Sequence, residues 1–220
     1  MPQTLPWREG TTPEPLPDAL QAPLRQFVFE PEGWCRPQAL GVPQLAAGAR
    51  QPPRSSWRRA VAAIVPPRML DAALLCRNLR GRLALLPRAD WLQLGLCVCV
   101  LPFCGQIQRS LDGHFRRAVQ QLLEEEAIQR LDRIAGEAPP DRPVFLAGPG
   151  AWRSPDRLAA GGMRAAMEQA CFWTDPVALR VRLRFEPDEL QGPPSVGGID
   201  ITWLEIACKA LWPQHPWLWS

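Results

Sequence analysis

Cys97, Cys99 and Cys104 lie close together and are the first place to look for chemistry in this chain. A structural zinc site takes four ligands, usually in close pairs on turns. On a helix Cys97 and Cys99 would point about 200° apart, and their sequence neighbours are Leu and Val with no histidine nearby. Packing as small hydrophobes is the better reading. The chain has seven cysteines, an odd number at irregular spacing, which reads as free thiols in a reducing compartment. His114 and His215 are the only histidines, so every histidine-dependent mechanism rests on one of them. No local signature brings either beside a cysteine nucleophile. His114 follows Asp112-Gly113 at a helix start, a place for a solvated or capping side chain.

Glu124-Glu125-Glu126 is the densest acidic run. Paired carboxylates do acid–base work when their environments differ. Three consecutive residues fan around a helix, however, and most of that arc faces water. The run reads as a solvated face with the potential to dock a partner. Gly148-Pro149-Gly150 and Gly161-Gly162 match neither phosphate-binding glycine pattern, and Pro149 removes an amide that a phosphate cradle would use. Both read as turns or close-packing points. No catalytic residue, cofactor site or metal site is assigned from the residues.

The charge balance does not imply a polyanion partner. Twenty-five basic against 22 acidic residues leave +3, with the signs mixed almost everywhere. Nucleic-acid binders show a basic domain with clustered Lys and Arg. Ten tryptophans and no tyrosine are an unusual aromatic choice, and Trp203, Trp212, Trp217 and Trp219 crowd the C-terminal end. Tryptophans build cores and also anchor protein interfaces.

The elements that must position these residues are marked out by proline. Thirteen of the 26 prolines fall in residues 1–67, so that third is expected to be an irregular extension rather than a regular helical layer. It would start as a loose tail over residues 11–17 and wrap the core through Phe27, Val28, Phe29, Trp34 and Trp57. Residues 68–220 form the expected helical core domain. A first helix is predicted from Met69 to Leu86, after Pro66-Pro67. A second opens at Pro87 and Asp90, is apolar nearly all round, and therefore belongs at the centre; Pro102 ends or kinks it. A third keeps one apolar face from Phe115 through Leu122 and Leu131 to Ile134, with Arg116, Arg117, Glu124 and Glu125 elsewhere on its circumference. A fourth spans roughly Pro155 to Phe172.

Strict alternation then follows, with Val177, Leu179, Val181, Leu183 and Phe185 against Arg180, Arg182 and Arg184. Period two reads as a half-buried strand with a basic outer face. A short helix is the competing reading, because an isolated strand lacks a partner. Asp200 caps a last helix from Ile201 to Trp212. The fold class is thus mainly α, an irregular helical bundle with a Pro-rich N-terminal extension, with one short strand left open. The start of the sequence has no basic segment followed by an apolar stretch, and the longest apolar run, Trp91 to Cys104, is shorter than the ~20 residues a membrane helix needs. A cytoplasmic protein that reaches membranes through protein partners is expected.

Leu92 to Cys104, continuing as Gly105-Gln106-Ile107-Gln108-Arg109-Ser110-Leu111-Asp112-Gly113-His114-Phe115-Arg116-Arg117, resembles the central segment of the SctK family. These are the YscK/PscK-like accessory proteins of type III secretion systems, and the likeness is nearest to the Hrp-cluster branch. Ala147-Gly148-Pro149-Gly150-Ala151-Trp152-Arg153 and the ending from Trp203-Leu204-Glu205-Ile206-Ala207-Cys208-Lys209 through Trp219 fit the same branch. The resemblance covers roughly residues 68–220. It implies a non-enzymatic component of the cytoplasmic sorting platform. Such a component bridges the cytoplasmic domain of the inner-membrane ring protein (SctD-like) and the pod protein (SctQ-like), and through the pod supports the stator and ATPase. The family has no catalytic residues to carry over.

On the residues themselves, an adaptor would present Arg116, Arg117, Glu124, Glu125, Trp212, Trp217 and Trp219 to its partners. Two other classes compete: an enzyme whose site assembles from His114, Cys104 and Glu124, and a DNA-binding regulator that uses Arg180, Arg182 and Arg184 or Arg116 and Arg117.

Overall fold

Prolines bracket helices in this chain more than they interrupt them. A computed structural model describes residues 18–30, 34–36, 39, 53–103, 117, 119, 120, 123–135, 143–170 and 175–219. The first third, expected to be irregular, contributes α1 (Asp18–Phe29) and α2 (Arg54–Ile64). Only Pro23 lies inside α1, while Pro53 and Pro66 flank α2. A count of prolines therefore underestimated helix, because a proline at a helix boundary removes no intrahelical bond. Helix α1 contributes side chains to the core. Leu20, Leu24, Phe27 and Val28 are all buried in the same cluster as the rest of the chain.

The predicted helix from Met69 to Leu86 is broken into a 3-10 turn (Pro67–Met69), α3 (Ala72–Arg77) and α4 (Leu79–Leu83). Two polar side chains make the breaks. The Asp71 carboxylate accepts from the amides of Ala73 and Leu74, and the extended Asn78 accepts from the amide of Gly81. Each replaces a helical hydrogen bond with a new cap. Gly81 then lets α4 fold back against α3, since a Cβ there would lie 2.6 Å from the Leu74 carbonyl oxygen.

Helix α5 (Arg88–Val100) is the centre, as its all-round apolarity demands. Eight of its 13 residues are buried, from Trp91 to Val100. Pro102 ends it in a 3-10 turn, Leu101–Phe103. Its main partner is α7 (Pro155–Gln169), whose Ala159, Ala160, Gly161, Gly162, Ala165 and Ala166 are all buried. Small residues let the two backbones touch. A Cβ on Gly162 would lie 1.9 Å from the Gly95 carbonyl oxygen, and one on Gly95 would lie 2.2 Å from that of Ala159. The glycine pair, expected to be a turn or a close-packing point, is a close-packing point.

The third predicted helix is not continuous. The Leu123 amide closes the preceding turn on Val119, Glu124 is non-helical, and α6 (Glu125–Ala135) starts afresh with Ala127 and Ile128 donating to the Glu124 carbonyl. Three glutamates at a helix start are favoured by the positive end of its dipole, and mid-helix they would repel each other. Ala127, Ile128 and Leu131 keep the expected buried face. Phe115, Leu122 and the sequence start of this stretch lie outside the described residues.

Strand β1 (Val144–Phe145) pairs antiparallel with β2 (Val196–Gly197), with Val144 opposite Gly197 and Phe145 opposite Val196. This two-residue ladder is the only sheet among the described residues. The expected strand over 177–185 is instead α8 (Asp175–Arg182), so the competing helix reading is the correct one. Helix α9 (Ile201–Leu211) follows its predicted cap, the Asp200 carboxylate accepting from the Trp203 amide. It lies against α5 and α6. A last turn, α10 (Pro216–Trp219), folds back onto α9 and α4. Among the described residues no helix is long and apolar enough to cross a membrane.

Candidate interaction surface

Most residues that suggested chemistry are placed for packing. Cys97 and Cys99 are buried within α5, and the Cys99 thiol donates to the Leu158 carbonyl of α7 at 3.4 Å. Burial pushes its pKa up to about 12, against smaller lowering effects of a hydrogen bond at Gly162 and of Arg164. A thiol held protonated is neither nucleophile nor metal ligand. Among the described residues no group of three His, Cys, Asp or Glu could hold a metal ion. His215 is exposed beside Trp217, 6.0 Å between ring centroids. Cys104, His114 and Arg116 lie outside the described residues.

The acidic run faces solvent, and so does Arg117. Arg117, Gln120, Glu124, Glu125 and Glu126 are all exposed. Gln120 donates to Glu125 at 3.3 Å across the helix break, and Arg130 reaches back one turn to Glu126 at 3.5 Å. Arg130 also donates from Nε to the Ala210 carbonyl at 2.7 Å, which fixes the base of this face to the end of α9. Exposed pairs of this kind contribute about 0–1 kcal/mol each, so they can be exchanged for a partner's charges at little cost to the fold.

The tryptophans divide. Trp203 is 1% and Trp212 is 7% exposed, so both build the core and Trp212 offers a partner almost nothing. Trp217 is half-buried against that core. Trp219 closes α10, and its side chain lies outside the described residues. Leu218, not singled out from sequence, is the residue that seals the C-terminal turn at 1% exposure.

One constellation escaped the sequence reading altogether. Arg180 and Arg184, expected on a solvent-facing strand, are 1% and 2% exposed. On α8 and its final turn they stand four residues apart and so share a face, while Arg182 on the other side is exposed. Arg180 donates to the Val28 carbonyl at 2.8 Å. Arg184 donates to the carbonyls of Ala84, at 2.8 Å, and Leu86. Both guanidinium groups lie over the stacked rings of Phe27 and Trp34, Arg184 at 4.8 and 5.1 Å from the two centroids. Burial lowers the pKa of each; Arg180 adds repulsion at Arg184, and half-buried Asp90 offsets part of it. Their Nε groups have no hydrogen-bond partner among the described residues. The pair is a clamp that ties α1, the segment around Trp34 and the end of α4 to α8. The signal available in sequence was the spacing of Arg180 and Arg184 at helical period.

A comparison with known proteins gives no match to any family model, curated protein or solved structure.

Proposed function

We propose that this chain is a non-enzymatic adaptor of SctK type in the type III secretion sorting platform. It would link the cytoplasmic domain of the inner-membrane ring protein (SctD-like) to the pod protein (SctQ-like), and through the pod the stator and ATPase. The observation that carries the reading is the resemblance of Leu92–Arg117, Ala147–Arg153 and Trp203–Trp219 to that family. A helical core that keeps a mixed-charge face exposed is what such a role requires. Exposed charges of opposite sign, on Arg117 and on Glu124–Glu126, orient a partner and exclude wrong ones. The regulator reading loses its main support, because Arg180 and Arg184 are buried and cannot meet a phosphate backbone.

The face is tested by reversing Arg116→Glu with Arg117→Glu. Arg117 is exposed, so thermal melting should stay within the small range expected for surface ion pairs. Binding to the pod or ring protein should fall by about tenfold or more, and secretion with it. An unchanged melt with unchanged binding to both partners would remove this face from the docking site.

A further inference from the structure

The net charge of the chain hides a strong local asymmetry. Residues 54–82, from α2 to α4, hold seven arginines and one acid, Asp71, a net of +6. The whole chain carries +3, so the remainder is net acidic by three charges. Arg59, Arg68 and Arg77 in this stretch are exposed. Three aliphatic side chains stand out among them: Ile64 at 46%, Met69 at 54% and Leu74 at 38% exposure. Ile64 ends α2, Met69 ends the 3-10 turn and Leu74 sits in α3. Consecutive members are five residues apart, so at most about 18 Å of extended chain separates them. Isolated exposed aliphatics need no explanation. Three of them, interleaved in sequence with exposed arginines, give this short basic stretch a definite chemistry.

We infer that the α2–α3 surface binds the headgroup region of an anionic lipid bilayer. Its composition decides for a bilayer over a protein. A protein interface concentrates its energy in aromatic anchors buried in pockets, whereas this stretch exposes single aliphatics that alternate in sequence with arginines. That is the pattern of a surface-lying element: the aliphatics enter the acyl boundary, and the guanidinium groups stay at the level of anionic headgroups. Basic side chains near an anionic leaflet each add to the attraction, which fades within a Debye length. The inference does not depend on the adaptor reading, since it uses other residues and another partner.

The test is co-sedimentation of the full chain with vesicles of phosphatidylcholine alone or mixed with phosphatidylglycerol. Binding is expected only to the anionic vesicles, weakening steeply as salt is raised to about 0.5 M. The variant Arg59→Gln, Arg68→Gln, Arg77→Gln should lose on the order of a hundredfold in affinity. Ile64→Ser, Met69→Ser, Leu74→Ser should lose on the order of tenfold. Met69→Ser alone, at the most exposed position, guards against misfolding of the triple variant and should weaken binding measurably with an unchanged melt. Absence of binding to anionic vesicles at low salt overturns the proposal, as does binding that neither triple variant weakens. Loss with the arginine variant but not with the serine variants would also overturn it, reducing the surface to a general polyanion site. Capture of an acidic protein by this surface without vesicle binding would replace the bilayer with that protein.

Discussion

Gly95→Ala should leave little or no folded protein. The added Cβ would lie 2.2 Å from the carbonyl oxygen of Ala159 and 2.4 Å from the amide nitrogen of Met163, both backbone atoms of α7. No rotamer change relieves a clash with backbone; α5 and α7 would have to separate. These two helices form the largest helix–helix contact among the described residues, so separation opens the core along its length. Overpacking a well-filled core costs about 1–3 kcal/mol when side chains can yield, and a backbone clash at the central crossing should exceed that. Small domains have only about 5–15 kcal/mol in hand. Gly150→Ala is the internal control, because a Cβ there meets nothing within 4 Å. Chemical denaturation of both variants measures the difference. A Gly95→Ala protein as stable as its parent would show that the two helices do not cross where this account places them.

Arg184→Ala should be the most damaging removal of a charged side chain. It strips donors from the carbonyls of Ala84 and Leu86 and leaves the Phe27 and Trp34 rings facing a void. Unsatisfied buried carbonyls and a cavity together amount to about 3–5 kcal/mol. Arg184→Met restores volume but not the donors, so it should fall between Ala and the parent. Arg184→Lys keeps the charge yet lacks the planar fork that serves two carbonyls while lying over an aromatic face, and should also destabilise. Arg182→Ala, two residues away in sequence, on the other side of the helix and exposed, should change stability by less than about 0.5 kcal/mol. Equal stability of Arg184→Ala and Arg182→Ala would mean that the clamp contributes nothing.

What could be read in the sequence depended on whether a local rule met a competing tertiary one. The cap at Asp200 and the all-round apolar stretch from Trp91 onward are local and strong, and α9 and α5 follow them. The break at Asn78 rests on one side chain accepting from the Gly81 amide, which a periodicity count ignores. At Glu124 the apolar face runs on without interruption while the backbone does not. Residues 177–185 satisfy both periods: alternation suits a strand, and Val177, Arg180, Val181 and Arg184 form one helical face. The choice falls to α1 and the segment after α4, whose carbonyls at Val28, Ala84 and Leu86 take the two arginines. Those partners lie roughly 100 to 150 residues away in sequence, beyond any local rule. The exposed charged face was legible as a list of charges. Its connection to α9 through Arg130 and the Ala210 carbonyl was not.

Affinity purification of the intact chain from its native cell, under mild conditions, tests the adaptor account most directly. The account predicts that the ring protein and the pod protein are both recovered in stoichiometric amounts, with the stator and ATPase in lower yield through the pod. Recovery of neither ring nor pod protein, or of nucleic acid that competes in their place, would contradict it.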